Sequence, residues 1–278
     1  MKKYDEIVNM ENTCVAYGSF DGVHRGHLKI VKELTAQAKE KGLTSVIISC
    51  PADGDIMTTE KEKEYLLKDA GVDALMTCTE ENAVKAIVEK LGAKALVIGE
   101  NHKDIDAVKA EAEKAGIEVV VCEAEKEGGE VITAELVKKA FDECDFEKVT
   151  ALCGHPYTLI GEVMHGKALG RTVGMPTANL GAADDKLKPP SGSYVTRLWV
   201  DGEKFKAMTN IGKRPSVDDF DYVTIESFIL DFSRDIYGKE IVLEVHKFVR
   251  GVQKFNNLEE VQKQVQKDIQ AVREFLED

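Results

Sequence analysis

The stretch TCVAYGSFDGVHRGHLKIVKELTAQA, residues 13–38, contains the pattern that decides the fold of the first half of this chain. Its apolar start, residues 13–20, predicts a strand, and a glycine-rich turn follows. Apolar residues then recur at helical spacing, at Leu28, Val31, Leu34 and Ala38. The alternation continues through candidate strands at 44–49, 73–77, 95–99 and 118–122. Such alternation predicts a parallel, Rossmann-like α/β sheet with helices on both faces.

The second half changes character near Gly154. Runs rich in β-branched and aromatic residues occur at 157–164, 193–200, 204–210, 222–230 and 240–249. Asp201-Gly202 between two of them predicts a two-residue hairpin turn. These closely spaced strands predict an antiparallel barrel or sandwich. An amphipathic helix capped by Asn257 and Glu260 closes the chain. We expect domains at 1–150 and 151–278, joined within 141–154.

The composition and charge of the chain limit the classes of protein to which it could belong. The 278 residues are 43% hydrophobic and 31% charged, as in globular proteins. The net charge of −13, concentrated in residues 1–153, argues against a nucleic-acid partner. No apolar run approaches the roughly 18 residues that a membrane span needs, and no secretory signal is evident. Six scattered cysteines without a C-x-x-C pair favour a reducing compartment, the cytoplasm. The sequence sets no oligomeric state.

The first motif, GSFDGVHRGH at residues 18–27, lies where the first strand turns into the first helix. Such a turn presents free backbone N–H groups and a positive helix end, which favour phosphate. On a helix, His24 and His27 would share a face and could both contact one triphosphate. The alternative is a structural turn with Asp21 as a helix cap. The string resembles the H-x-G-H signature of nucleotidyltransferases, so the histidines are catalytic candidates. The nucleotide-binding candidates here are Gly18, Phe20, Asp21, Gly22 and Gly26.

The second motif, GEVMHGKALGRTVGMPTANL, occupies residues 161–180. A glycine-punctuated loop leads into Pro176-Thr177-Ala178-Asn179. If this stretch is extended, the Thr177 hydroxyl and the Asn179 amide project from one face. Both are hard oxygen ligands suited to Mg²⁺ carried by nucleotide phosphates. A plain hairpin loop would explain the glycines but not PTAN. The loop candidates for nucleotide binding are Gly166, Lys167, Gly170, Arg171, Gly174 and Pro176.

These motifs, with SGSYVTRLWV, TNIGKRPS, TIESFILDFSRDIYG and FVRGVQKFNNLEEVQKQVQKDI, resemble the bifunctional bacterial riboflavin kinase/FAD synthetase family across nearly the whole chain. The resemblance implies ATP- and Mg²⁺-dependent conversion of riboflavin to FMN, and of FMN to FAD. It implies that Thr177 and Asn179 contact Mg²⁺ and that Asn210 lies near the nucleotide. Glu226 would be the general base, and the flavin would lie near Arg250.

Glu226 is also notable without the resemblance. It is a carboxylate inside an otherwise apolar strand, where burial is costly without a partner or a role. Partial desolvation would raise its basicity, as a general base requires. The alternative is an ordinary outward-facing strand position, and the strand alone does not decide between the two.

The first half departs from the family at two motifs. Where the family has G-x-D-F-R-F-G, Gly99 begins GENHKDID. The best counterpart of I-S-S-T-x-I-R is ITAELVK, residues 132–138, which places Glu135 where a phosphate should be held. A carboxylate repels phosphate, and Lys138 lacks bidentate arginine geometry. Thr133 could equally be a helix cap. Three alternatives remain open: active adenylyl transfer with altered contacts, weak transfer, or a monofunctional kinase with a nucleotide-binding or structural first domain.

Overall fold

The computed structural model describes residues 1–52, 54–78, 83–165, 176–215 and 221–277, with the backbone alone at 214, 215, 221 and 222. The chain divides into two compact units, Met1–Val137 and Lys138–Asp278. Within the described ranges, no helix is long and apolar enough to cross a membrane.

The first unit is built on a six-stranded sheet. Its strands are β1 (Lys2–Tyr4), β2 (Thr13–Gly18), β3 (Thr44–Ser49), β4 (Ala74–Thr77), β5 (Ala93–Gly99) and β6 (Glu118–Cys122). Their order is β1-β4-β3-β2-β5-β6, and every neighbouring pair is parallel. The predicted parallel sheet is confirmed. The order reverses between β2 and β5, and ligands of open α/β sheets bind at the carboxyl ends of strands at such a switch point.

Helices cover both faces of this sheet. They are α1 (Arg25–Lys41), α2 (Glu60–Leu67), α3 (Ala83–Lys90) and α4 (Ile105–Lys114). A short hairpin pairs β7 (Lys126–Glu127) with β8 (Glu130–Val131), and the following helix, α5 (Ala134–Asp142), runs across the boundary between the two units. Successive residues of a strand point to opposite faces of the sheet, so alternate residues pack into two separate hydrophobic cores. Val15 packs with Ile87 of α3, whereas its neighbour Ala16 packs with Val31 and Leu34 of α1.

The second unit is an antiparallel barrel. It contains α6 (Phe146–Cys153), the strands β9 (Tyr157–Met164), β10 (Ala178–Gly181), β11 (Gly192–Val200), β12 (Glu203–Pro215), β13 (Asp221–Ile229) and β14 (Glu240–Gly251), and α7 (Leu258–Phe275). The barrel closes in the order β10-β13-β12-β11-β14-β9. Of the two predicted alternatives, barrel and sandwich, the barrel is confirmed. Asp201 and Gly202 turn between β11 and β12 with φ of 53° and 79°, as the hairpin prediction required.

The last helix packs on the outside of the barrel. Val272 and Leu276 of α7 contact Val195 of β11 and Met208 of β12. The Asn257 side chain accepts a hydrogen bond from the Glu260 N–H at 2.9 Å, so the predicted cap is confirmed. This arrangement places the segment between β14 and α7 beside the outer surface of the sheet.

Among the described residues, periodicity missed four strands: β7 and β8, of two residues each, and β1 and β10. β10 has the composition Ala-Asn-Leu-Gly, and β1 is Lys-Lys-Tyr. Neither has the β-branched enrichment that marks a strand. Both are stabilised by pairing with neighbours far away in sequence, β10 with β9 and β13, and β1 with β4.

Candidate active sites in the two units

The two histidines of the first motif lie at the switch point, directly after β2. His24 is the N-cap of α1, with φ −67° and ψ 169°, so it precedes the helix and does not share a helical face with His27 as expected. Its Nδ1 accepts from the His27 N–H at 3.3 Å, and the two rings stack with centroids 3.6 Å apart. Capping therefore brings the histidines together more closely than a helical spacing would.

Gly26 packs tightly against the His24 ring of this stack. A Cβ at this position would lie 3.0 Å from Cε1 and 3.1 Å from Nδ1 of the His24 ring. Such contacts are closer than side chains normally make, so any other residue here would require the His24 ring to shift by a few tenths of an ångström. Gly22, in contrast, is needed for its backbone, which has φ of 78°.

His27 is held neutral by its surroundings. Its Nδ1 is buried and has no hydrogen-bond partner in the described part of the chain. Burial lowers the pKa of His27 well below its ordinary value, and the nearby His24 and Lys63 lower it further. A buried imidazole without a partner at the switch point is a group that a ligand could satisfy.

Asp21 and Phe20 have structural contacts. The Asp21 carboxylate accepts from the backbone N–H groups of Met57, at 3.1 Å, and Thr58, at 2.8 Å. Gly22 N–H donates to the Thr58 hydroxyl at 2.7 Å. The Phe20 ring is buried and lies 5.1 Å from the His27 ring. These contacts fix the shape of the motif; Asp21 does not cap the helix with its side chain.

Glu135 lies at the start of α5. Thr133 caps this helix by accepting from the Leu136 N–H at 3.2 Å, which confirms the capping interpretation. The pKa of Glu135 is lowered by a hydrogen bond from its own backbone N–H, by the Thr133 side chain and by His24. An ionised carboxylate therefore occupies the positive end of α5 within the electrostatic reach of the histidine pair.

Lys63 was missed by sequence reasoning. It lies in a run of alternating charges that predicts a solvated helix face, yet only 4% of its side chain is exposed. Its Nζ donates to Ser49 Oγ at 2.8 Å and to Glu60 Oε1 at 2.7 Å. Ser49 ends β3, so this buried cation stands at the carboxyl edge of the sheet, and no local signal marked it.

The GENHK segment after β5 retains one aromatic ring. The His102 ring lies 5.1 Å from the Tyr17 ring at the end of β2. His102 Nδ1 accepts from the Asp104 N–H at 3.3 Å, which leaves the proton of the neutral ring on Nε2. Burial lowers the pKa of His102. An aromatic ring therefore lies near the carboxyl end of each of the two strands that flank the switch point, Tyr17 within β2 and His102 just after β5.

Three candidate residues of the second unit lie in one row across three strands. Glu226 of β13 is paired directly with Asn179 of β10 on one side and with Asn210 of β12 on the other. Directly opposed residues project from the same face of a sheet. Asn179 and Glu226 are half-buried and Asn210 is exposed. The barrel therefore places a carboxylate between two amides on an accessible face.

The row continues to Arg250. Asn210 is opposite Ser193 of β11, and Ser193 is opposite Arg250 of β14. The Arg250 guanidinium forms an ion pair with Asp268 of α7, with Nη2 2.7 Å from Oδ2. All four candidate residues on strands of this unit thus lie along one line around the barrel.

The PTAN segment enters β10 at one end of this row. Pro176 is exposed and Thr177 is half-buried, two residues before Asn179. The other loop candidates, Gly166, Lys167, Gly170, Arg171 and Gly174, lie outside the described residues.

The donors near this row suit Mg²⁺. A threonine hydroxyl, an amide oxygen and a carboxylate are all hard oxygen ligands. Among the described residues, no group of three or more His, Cys, Asp or Glu could hold a metal ion by itself. Mg²⁺ that is bound together with a nucleotide usually takes some of its oxygen ligands from the phosphates.

Comparisons with known proteins agree with this organisation. A riboflavin kinase family model matches residues 153–276, and an FAD synthetase family model matches residues 6–136. The bifunctional riboflavin kinase/FMN adenylyltransferase of Listeria monocytogenes is 31% identical and covers 95% of this chain and 92% of its own length. The same enzyme of Bacillus subtilis is 30% identical over 94% and 92%.

A solved structure described as a macrolide-efflux protein from Streptococcus pneumoniae has the same fold. It matches with a TM-score of 0.84 over 98% of both chains at 24% identity, so the likeness concerns the fold alone. Taken with the two domain matches, the sheet and the barrel define a two-domain transferase. The chain belongs to the bifunctional riboflavin kinase/FMN adenylyltransferase family.

Proposed function

We propose that this protein phosphorylates riboflavin with ATP and then adenylylates the FMN that it forms. We assign the kinase to residues 151–278 and the adenylyltransferase to residues 1–150. The observation that supports the kinase most strongly is the cross-strand row in which Asn179, Glu226 and Asn210 share one face. Residues from three strands, 16 to 47 positions apart in sequence, converge there in a domain that matches riboflavin kinases.

In the kinase reaction, Glu226 accepts the proton of the riboflavin 5′-hydroxyl as its oxygen attacks the γ-phosphorus of ATP. The new P–O bond forms as the bond to the β-phosphate oxygen breaks, and ADP leaves with those electrons. Asn179 and Asn210, on either side of Glu226, orient the phosphate and the hydroxyl. Positioning of this kind accounts for most of the catalysis in phosphoryl transfer.

Mg²⁺ would be held by Thr177 and Asn179 together with the phosphates of ATP. The ion supplies shielding of phosphate charge when it is bound. The residues of the chain orient the substrates and accept the proton. Thr177 contributes a hydroxyl oxygen and Asn179 an amide oxygen, neither of which needs to lose a proton to serve as a ligand.

In the adenylyl transfer, a phosphate oxygen of FMN attacks the α-phosphorus of ATP, and pyrophosphate leaves. His24 and His27 stabilise the charge that develops on the α-phosphate. The unpartnered Nδ1 of His27 and the positive end of α1 support this placement. Glu135 opposes it, so we expect this activity to be the slower of the two.

The Glu226→Gln variant tests the kinase assignment. It keeps the shape of the side chain but cannot take a proton, so FMN formation should fall by at least about a hundredfold, within the range of general-base effects. The measurement is FMN produced from ATP and riboflavin. Glu203→Gln, at the exposed start of β12, is the matched control and should retain full activity. Normal FMN formation by Glu226→Gln would refute the role of base.

Assays with ATP and either riboflavin or FMN distinguish the proposed function from its rivals. A nucleotidyltransferase for another acceptor would form neither FMN from riboflavin nor FAD and pyrophosphate from FMN, and a flavin-binding sensor would bind flavin without consuming ATP. A monofunctional kinase would form FMN but no FAD. We further propose that the enzyme acts in the cytoplasm, since all six cysteines are free.

A further inference from the structure

Asp268 is a buried carboxylate that the reaction just described does not use. It lies on α7 and is 1% exposed. A buried charge is unfavourable unless it is paired and hydrogen-bonded, so its partners indicate what it is for.

Its partners come from three elements. Arg250 of β14 donates from Nε to both oxygens, at 3.1 and 3.0 Å, and from Nη2 to Oδ2 at 2.7 Å. Ser193 of β11 donates to Oδ2 at 3.3 Å. Gln264, one helical turn earlier on α7, donates to Oδ1 at 2.8 Å. The carboxylate therefore joins the last helix to two strands of the barrel.

This network changes what Arg250 can do. Two of its nitrogens are bound to Asp268, and the third, Nη1, donates to the Gly251 carbonyl at 3.1 Å. Its guanidinium lies 5.9 Å from the centre of the Phe255 ring. Arg250 thus contacts both ends of segment 251–255, and its charge is neutralised by Asp268. Arg250 is therefore better placed to hold segment 251–255 in position than to bind a substrate.

Segment 251–255 and the start of α7 each present an apolar side chain to solvent. Val252 is 72% exposed and Leu258, at the start of α7, is 56% exposed. Exposed large apolar side chains next to a catalytic row are suited to a planar aromatic substrate. Ser193 is paired opposite both Asn210 and Arg250, so Asp268 also ties this surface to the row that contains Glu226.

We propose that Asp268 is a positioning residue for riboflavin. Acting through Arg250, it holds the segment between β14 and α7 at a fixed place relative to Glu226, so that the flavin ring packs on the segment with its 5′-hydroxyl at the carboxylate. This inference rests on the proposed kinase function.

The test compares Asp268→Asn with the double variant Arg250→Gln/Asp268→Asn. The single variant leaves the guanidinium partly buried without its counter-charge, which can destabilise the fold. The double variant removes both charges and restores balance, while the clamp stays lost. In the double variant we expect the KM for riboflavin to rise about tenfold or more, as for the loss of charge-assisted hydrogen bonds. The KM for ATP should change less than about twofold, within the usual scatter of surface changes.

Two further measurements make the result decisive. Arg273→Gln, which breaks an exposed pair between α7 and Asp231, is the control and should alter neither KM. The Kd for riboflavin, followed by flavin fluorescence, should rise in parallel with its KM. An unchanged riboflavin Kd in the folded double variant, or equal changes in both KM values, would overturn the inference. Riboflavin binding to the unmodified protein without FMN formation would refute the kinase function, while the Kd comparison would still test Asp268.

Discussion

At the scale of single residues, the contacts of a side chain decide its role more than its type. Lys63 and Lys61 are neighbours in the same charged run, yet Lys63 is buried against Ser49 and Glu60. Arg250 matches a family motif, yet its charge is neutralised by Asp268. A role that is predicted from the type of a residue can therefore be assigned only when the contacts of its side chain are known.

Glu135 offers a prediction at this scale. We expect Glu135→Ser to increase FAD formation from ATP and FMN severalfold, because it removes a negative charge near His24 and restores a hydroxyl of the family motif. The variant should also lose about 0.3–1 kcal/mol of stability, since an acidic residue at a helix start is favourable. The measurements are initial rates of pyrophosphate release and a denaturation midpoint.

The matched control for Glu135→Ser is Glu113→Ser. It makes the same change of charge at an exposed position on α4, and it should leave FAD formation unchanged. If both variants increased the rate equally, the net charge of the unit would be responsible. If neither did, Glu135 would have no influence on the phosphate site.

At the scale of elements, the turn from β2 into α1 shows how backbone geometry builds a site. His24 caps the helix, the cap brings its ring onto His27, and a Cβ at Gly26 would fit only if the His24 ring shifted by a few tenths of an ångström. The three features depend on one another because they share the first turn of α1. A change at any one of them should alter the other two.

Gly26→Ala is the prediction for this element. Alanine favours a helix over glycine by about 1 kcal/mol, so the stability of the unit should not fall much. The Cβ would displace the His24 ring, so FAD formation should fall by about tenfold or more, as when an oriented catalytic group is lost. FAD formation and thermal unfolding of the same preparation should be measured together.

Lys32→Ala, at an exposed position of α1, is the control for helix propensity. It should preserve or raise stability without a loss of FAD formation. Normal adenylylation by Gly26→Ala would mean that the position of the His24 ring is not needed. If Gly26→Ala were largely unfolded at the assay temperature, its loss of FAD formation would reflect the loss of folded protein. The glycine would then serve folding alone.

At the scale of the whole molecule, the two activities belong to two compact units. The histidine pair lies in Met1–Val137, and the cross-strand row lies in Lys138–Asp278. Each unit has its own hydrophobic core, and the first unit contains an open parallel sheet whereas the second contains a closed barrel. The residues proposed for each reaction therefore lie within a single unit.

Because the two sets of residues lie in different units, a variant in either set should lose one activity and keep the other. Glu226→Gln should fail to make FMN from riboflavin but should still make FAD when FMN is supplied. His27→Ala should make FMN normally but should lose FAD formation. Both substrates are tested with both variants, and flavin products are separated by chromatography. Loss of both activities in either variant, with the fold intact, would show that the two reactions share essential residues.

Much of the fold could be predicted because its signals are local. Strands at 44–49, 118–122 and 157–164 were placed at their observed bounds, since alternation and turn residues act over a few positions. The asparagine cap of α7 and the Asp201-Gly202 turn are local in the same way. β10 was missed because its four residues depend on pairing with β9 and β13.

The sequence by itself determined the family, the two kinds of fold and the residues that could do the chemistry. Only the tertiary structure decided which of them meet. Strand pairing placed Glu226 between Asn179 and Asn210, and burial committed Arg250 to Asp268 and Lys63 to Glu60. The physical reason is that register and desolvation arise from contacts between distant segments, whereas motifs and periodicity report only on neighbours along the chain.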